Sequence, residues 1–332
     1  MSNKLQKKTV GVIGAGAWGT ALALTAHRSG CKVIIWTHQE HHALQMRLKN
    51  VNEPFLPNIP LPTNFTYTAQ YEDLIDCDFY ILATPAQTVR SVLENATKII
   101  GLQKPIILTS KGIEKQTHLI MSQVAWEISP HLDISVLSGP SFAIDVAHNL
   151  PTAIVLASTS IKKAKTLGSF LTTPNFRIYT STDMVGVQVG GALKNVIALA
   201  SGIAQGLNLG DNARAALITR GLVEIKRLGI AMGGQIDTFM GLSGLGDLLL
   251  TCSSEKSRNT SLGIKLASKD STNSENTLAE GMPTAESIHA LAKKYKTSMP
   301  ICEQIYAFLK GKTSLESSIK NLLYKEALQE EY

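Results

Sequence analysis

The chain has 332 residues, too many for one small core, and a prior of about one domain per 150 residues divides it into two. Its 44% hydrophobic and 17% charged content, with a mean hydropathy of +0.06, fits a globular protein and excludes extended disorder. A net charge of +6 and a pI near 9.0 invite a nucleic-acid partner, yet Lys and Arg are scattered without a run of like charges. A small anionic substrate or cofactor is the better reading, and no nucleic acid is expected.

Cys31, Cys77, Cys252 and Cys302 are far apart and form no Cys-x-x-Cys pair, so neither a zinc site nor a disulfide framework is indicated. No His, Asp and Glu cluster at ligand spacing calls for a metal. Lys4, Lys7 and Lys8 before an apolar run ending near Ala26 imitate a secretory signal. That run, however, carries several glycines and Trp18, and it lacks both membrane-spanning length and a clear cleavage site. The expectation is a cytoplasmic protein without an integral membrane segment.

The first element is a β-rich run, Thr9 to Ile13, that meets Gly14, Gly16 and Gly19 in the spacing Gly-x-Gly-x-x-Gly and passes into helix-favouring Ala and Leu. In that context the three glycines predict a dinucleotide turn: Gly14 for a tight bend, Gly16 for close approach of a pyrophosphate, and Gly19 for helix packing. The amino end of the helix offers free N–H groups to negative charge. Val33-Ile-Ile-Trp36 reads as a second, buried parallel strand. An Asp or Glu at its end would hold the ribose hydroxyls of NAD; Thr37-His38-Gln39 stands there instead, and Glu40 belongs to the next helix. With His38 and Arg47 nearby and no acid to repel a 2′-phosphate, NADP or NAD is expected, with NADP(H) favoured.

Residues 51–65, rich in Pro and Asn, read as a surface loop, either a lid or a connector. Strands follow at Asp78–Pro85 and Pro105–Ser110, separated by a helix from about Ala86 to Ile100. The second of these strands delivers Lys111 at its carboxyl end, where open parallel sheets collect ligands. Ile134–Leu137 ends in the small-residue turn Ser138-Gly139-Pro140-Ser141-Phe142-Ala143, which suits a ligand or a plain bend. Further strand, helix and strand patterns at 152–157, 161–171 and 176–179 complete an α/β, doubly wound sheet.

From about Asp183 the β-branched runs vanish and helical patterns continue, giving domains at 1–186 and 187–332, the second all-α. Lys194 is the one long cation in a helix that is otherwise small and apolar, a costly placement unless it has partners or chemistry to do. Asp247 among glycines could cap a helix; Ser257-Arg258-Asn259 offers converging donors for a phosphate, or is a polar surface loop. Glu280-Gly281 marks a turn with Thr284 as an amino cap, 268–276 an exposed loop, and Lys325–Tyr332 a charged tail. Apolar faces in this half suit a homodimer, although a packed core uses the same residues.

Taken together, Gly-Ala-Gly-Ala-Trp-Gly-Thr, Ser110-Lys-Gly112, Ser138-Gly-Pro-Ser-Phe-Ala143, Gly190-Gly-Ala-Leu-Lys-Asn195, Asn212-Ala-Arg-Ala-Ala-Leu-Ile-Thr-Arg220, Gly244-Leu-Gly-Asp247 and Ser257-Arg-Asn259 closely resemble bacterial NAD(P)-dependent glycerol-3-phosphate dehydrogenases over nearly the whole chain. The resemblance implies an N-terminal Rossmann doubly wound sheet, a C-terminal all-α domain, and catalysis in the cleft between them. It implies reversible reduction of dihydroxyacetone phosphate, a small phosphorylated substrate, to sn-glycerol 3-phosphate, which feeds phospholipid synthesis. It makes Lys194 the acid/base, with Lys111 and Asp247 as catalytic partners. Lys111, Gly139, Ser141, Lys194, Asp247, Ser257, Arg258 and Asn259 fall at its substrate contacts. Gly14, Gly16, Ala17, Trp18, Gly19, His38, Lys111, Ala143, Arg258, Leu278 and Glu280 fall at its nucleotide contacts. Ala17 and Trp18 depart from the Ser and the Tyr or Phe of some members, which removes a hydroxyl and keeps a stacking surface. A related two-domain dehydrogenase with another substrate, or a nucleotide sensor without turnover, are the rival readings.

Overall fold

A computed structural model of the chain describes residues 8–267, 279–315, 317, 318 and 321. Leu278, the expected loop at 268–276, the tail Lys325–Tyr332, and Lys4 and Lys7 lie outside the described residues. The chain forms two compact units. The first contains the residues up to Ser110 together with Met121–Leu137 and Ser141–Met184; the second contains Lys111–Ile120, Ser138–Pro140 and the chain from Val185 onward.

In the first unit, strands and helices alternate: β1 (Thr9–Ile13), α1 (Ala17–Arg28), β2 (Lys32–Trp36), α2 (Glu40–Lys49), β3 (Val51–Asn52), β4 (Leu56–Pro60), β5 (Thr66–Thr68), β6 (Phe79–Leu82), α3 (Val89–Ile100), β7 (Ile106–Leu108), α4 (Met121–Ile128), β8 (Ile134–Ser138), α5 (Ala143–Ala147), β9 (Thr152–Ser158), α6 (Ile161–Ser169) and β10 (Phe176–Ser181). Eight strands form one sheet in the order β10-β9-β8-β7-β6-β1-β2-β5, and β1 pairs in parallel with both β2 and β6. From β1 the chain builds outward through β2 and β5, then returns to place β6 on β1's other side. That reversal opens a crevice at the carboxyl ends of β1 and β6, where doubly wound sheets take ligands. Apolar strand residues are buried on both sheet faces, Val10, Val12, Ile35 and Ile81 on one and Ile13, Trp36 and Leu82 on the other, as parallel strands require.

Residues 51–65 are more ordered than a connector. β3 and β4 pair antiparallel, Leu56, Ile59, Leu61 and Phe65 are buried, and Asn52 is fully enclosed. Pro57 and Pro60 are compatible with this two-stranded sheet because its outer edges demand no ladder N–H. β5 and α4 are short elements that the sequence pattern did not predict.

The second unit is helical among its described residues after β10: α7 (Met184–Gly206), α8 (Asp211–Ala231), α9 (Ile236–Met240), a π-helical turn at Leu242–Gly246, α10 (Asp247–Cys252), α11 (Arg258–Ala267), α12 (Gly281–Tyr295) and α13 (Pro300–Leu309). By length and composition α7 is apolar enough to cross a membrane, but here it is the buried centre of the helical core, packed with Ile225, Leu248, Leu262 and Ile288. Its burial explains why Ala, Val, Leu and Gly surround it on all sides. Thr284, expected as a cap, lies inside α12, and Glu280 occupies the cap position. The helix starts early because Asn259 Oδ1 already accepts the Gly281 N–H at 2.9 Å.

Candidate active site

Each of the three glycines after β1 has its own structural reason. Gly14 has φ +116°, and an added Cβ would lie 2.7 Å from the Ala83 carbonyl oxygen that follows β6. Gly19 packs its helix turn onto the loop so closely that a Cβ would lie within contact of the Gly14 carbonyl. Gly16 differs from both. Its φ of −73° and ψ of 179° suit any residue, and a Cβ there would meet nothing within 4 Å. Neither backbone strain nor packing of the chain accounts for glycine at 16. The open approach to the amino end of α1 does, and it fits the pyrophosphate of a dinucleotide. Beside it the Trp18 indole N–H is buried and finds no acceptor among the described residues. His38 is exposed at the end of β2, while Arg47, expected near a 2′-phosphate, donates from Nη2 to the Tyr67 carbonyl at 2.7 Å and so braces β5.

The second unit gathers three charged residues from distant positions. Lys194 lies on α7, only 7% exposed, and its Nζ donates to Asp247 Oδ1 at 2.7 Å and Thr251 Oγ1 at 2.6 Å. Lys111 Nζ donates to the other carboxylate oxygen, Asp247 Oδ2, at 2.6 Å, and to the Gly139 carbonyl at 2.9 Å. Asp247, 1% exposed, is thus shared by two ammonium groups. The local fold accounts for the meeting. Gly190, one helical turn before Lys194, has the Ser243 carbonyl 2.5 Å from where its Cβ would be, so α7 runs hard against the π turn that ends at Asp247. Burial pulls the Lys111 ammonium down to about 8, helped by the like charge of Lys194 and opposed by Asp247. With both lysines protonated the cluster has net positive charge in a buried setting, suited to an anionic substrate and to an oxygen that gains charge.

A hydrogen-bonded line ties this cluster to the next helix. Asn195 Nδ2 donates to the Lys111 carbonyl at 3.3 Å, Asn259 Nδ2 to Asn195 Oδ1 at 3.0 Å, and the Gly281 N–H to Asn259 Oδ1. Ser257-Arg258-Asn259 is therefore the start of α11, not a loop: Ser257 Oγ accepts the Thr260 N–H, and Arg258 is exposed at the first helical position. A helix amino end with an exposed guanidinium beside it can hold a phosphate. Glu280 stands at the amino-cap position of α12 in the same unit, whereas Ser141 and Ala143, half-buried at the start of α5, belong to the first unit. Sequence reasoning missed Thr251 and gave Asn195 no task. The i, i+4 spacing of Asp247 and Thr251, which puts both on one helix face, was the available signal.

Two family models match this chain, the N-terminal part of NAD-dependent glycerol-3-phosphate dehydrogenase over residues 9–164 and its C-terminal part over residues 183–320. A glycerol-3-phosphate dehydrogenase (NAD(P)+) of Parvibaculum lavamentivorans is 42% identical over 323 residues, covering 96% of this chain and 97% of that one. One of Geobacter sulfurreducens is 43% identical, covering 97% and 99%. The crystal structure of the Coxiella burnetii glycerol-3-phosphate dehydrogenase superposes with a TM-score of 0.91 at 36% identity, covering 96% of this chain and 99% of that one. The chain carries a dinucleotide-type sheet and a helical unit that match this family along nearly its whole length, and it belongs to the NAD-dependent glycerol-3-phosphate dehydrogenases.

Proposed function

We propose that the chain catalyses the reversible, NAD(P)H-dependent reduction of dihydroxyacetone phosphate to sn-glycerol 3-phosphate, with Lys194 as the acid/base. The observation that carries this reading is the buried Asp247 shared by the buried Lys194 and the half-buried Lys111. When bound, the reduced nicotinamide supplies the hydride. Reduction of a ketone builds negative charge on its oxygen, and Lys194 Nζ stabilises that charge and delivers a proton to it. Asp247 and Thr251 fix the direction of the Lys194 ammonium, which leaves its third hydrogen for the substrate. In the oxidative direction the same Nζ takes the hydroxyl proton back.

Lys111 adds positive potential and, with Gly139 and Ser141, contacts the substrate. Ser257, Arg258 and Asn259 hold its phosphate at the amino end of α11, and this remote binding energy orients the reacting carbon. The turn from Gly14 to Gly19, with Ala17 and Trp18, takes the dinucleotide, joined by His38, Ala143 and Glu280. NADP(H) is favoured because Thr37-His38-Gln39 presents no acid to a 2′-phosphate. We further read the protein as a cytoplasmic homodimer that supplies phospholipid synthesis; exposed Ile230, Ile236, Met240 and Leu249 on the helical unit support the dimer.

Loss of NADPH absorbance on adding dihydroxyacetone phosphate, set beside a panel of unphosphorylated ketones and hydroxy-acid precursors, tests the function. Turnover confined to the phosphorylated ketone supports it, and preference for an unphosphorylated one overturns it. Running the assay with NADH as well decides the cofactor: a tenfold or greater preference for NADH removes the argument from Thr37-His38-Gln39.

A further inference from the structure

The buried Asn52 has no part in the chemistry above, yet every polar atom of its side chain is used. It is 0% exposed on β3. Its Nδ2 donates to the Ala15 carbonyl at 2.8 Å and to Thr20 Oγ1 at 2.7 Å, and its Oδ1 lies 3.0 Å from His42 Nε2. Both amide hydrogens are therefore spent on the glycine turn and on α1, so Oδ1 accepts, and His42 carries its proton on Nε2. His42 Nδ1 is hydrogen-bonded to Thr37 Oγ1 at 3.1 Å. At the other end Thr20 Oγ1 passes its own hydrogen to the Gly16 carbonyl at 2.9 Å.

The result is one line of hydrogen bonds that joins Thr37, His42 and Asn52 and continues from Asn52 to Ala15 and Thr20, with Thr20 closing on Gly16. It runs from the residue beside His38, at the end of β2, to the turn between β1 and α1. Burying four polar side chains is unfavourable unless all are satisfied, and a satisfied polar line fixes a geometry that an apolar contact would leave loose. The two backbone groups that it fixes are adjacent. In a planar trans peptide the N–H of the next residue points opposite to the carbonyl. Drawing the Ala15 carbonyl inward to Asn52 turns the Gly16 N–H outward, while the Gly16 carbonyl accepts the Thr20 backbone N–H at 3.0 Å as well as the Thr20 hydroxyl. The Gly16 N–H lies at the open amino end of α1, beside the space that Gly16 leaves clear.

We propose that Asn52 is a positioning residue for the dinucleotide: through Ala15 and Thr20 it sets the peptide plane whose outward Gly16 N–H meets the pyrophosphate. The hairpin of β3 and β4 is on this account a brace for the nucleotide turn. The inference rests on reading Gly14–Gly19 as the dinucleotide turn, and the test separates the two.

NADPH affinity is titrated by fluorescence in the full chain for Asn52→Ala, Thr20→Val, Thr20→Ser and Gly16→Val, with kcat and the KM for dihydroxyacetone phosphate measured at saturating NADPH. Asn52→Ala and Thr20→Val are expected to weaken NADPH binding at least about tenfold while the KM for the ketone stays within about twofold. Thr20→Ser, which keeps the hydroxyl, is expected to restore affinity. Should Asn52→Ala fail to fold, the Thr20→Val and Thr20→Ser pair carries the comparison. Normal NADPH affinity in both Asn52→Ala and Thr20→Val, with binding lost in Gly16→Val, overturns the role of Asn52 and leaves the turn reading intact. Normal affinity in Gly16→Val as well overturns both.

Discussion

The glycine turn and the lysine cluster offer negative charge opposite kinds of partner. The turn uses the backbone: Gly14, Gly16 and Gly19 bring N–H groups and open space, with no charged side chain among them. The cluster uses side chains: Lys111 and Lys194 on either oxygen of the buried Asp247. The difference suits what each meets. A dinucleotide must bind and leave unchanged in its phosphates, so fixed dipoles and a clear approach suffice. A ketone oxygen that gains a proton needs a group able to lose one. Each is also held by a side chain distant in sequence: Asn52 bonds the Ala15 carbonyl and Thr20 on either side of Gly16, as Asp247 bonds Lys194.

Substitutions at the centre of each region sharpen this contrast. Asp247→Asn leaves the buried Lys194 ammonium and the half-buried Lys111 without a counter-charge; breaking a buried pair costs about 3–5 kcal/mol of stability, measurable by denaturant titration. A loss below about 1 kcal/mol is what an exposed pair gives, and it would break the claim that the cluster is interdependent. Lys194→Ala should lower kcat at least about a hundredfold, the range of a general acid/base, with NADPH binding unchanged. Near-normal turnover would refute the role given to Lys194.

The turn should respond in the reverse manner. Gly16→Val meets no protein atom within 4 Å of its Cβ, so its melting temperature should stay close to that of the parent. Its NADPH dissociation constant should rise at least about tenfold, roughly 1.4 kcal/mol. Instability without weaker binding would mean that the open space serves the fold and not a ligand.

The smallest effect is a shape. Lys111 sits near 8, so kcat/KM should fall as pH rises through about 8 and the substrate-facing charge is lost. Lys111→Met should have lower activity throughout but no limb there, and a limb that persists in the variant would assign the titration elsewhere. Stability should move the other way: because the folded-state value lies below the ordinary 10.5, the unfolded chain holds a proton that the folded chain has released between about 8 and 10.5. Lys111 therefore adds to stability as pH rises through that window.

Much of this was legible in the sequence because its signals are local. Gly-x-Gly-x-x-Gly between a β-run and a helix, and strands such as Phe79–Leu82 that are apolar at every position, carry their meaning within a dozen residues. Glu40 opens α2 and no carboxylate ends β2, as the sequence said. The local signal failed where order came from elsewhere. Pro and Asn made residues 51–65 read as a loop, yet Asn52 is held by Ala15, Thr20 and His42, none of them in its own segment. Thr284 looked like a cap, and Asn259 from a different helix had already set where α12 begins.

By itself the sequence determined the alternation of strands and helices, the dinucleotide turn, and the residue types available for chemistry, because periodicity and backbone freedom are properties of neighbours along the chain. Only the tertiary structure decided that Lys111, 83 positions before Lys194, packs with the helical unit and shares Asp247 with it. It also decided that Asn52 braces the turn 36 residues before it at Gly16. Desolvation and hydrogen-bond satisfaction act between groups that folding brings within about 3 Å, and no spacing along the chain encodes that distance.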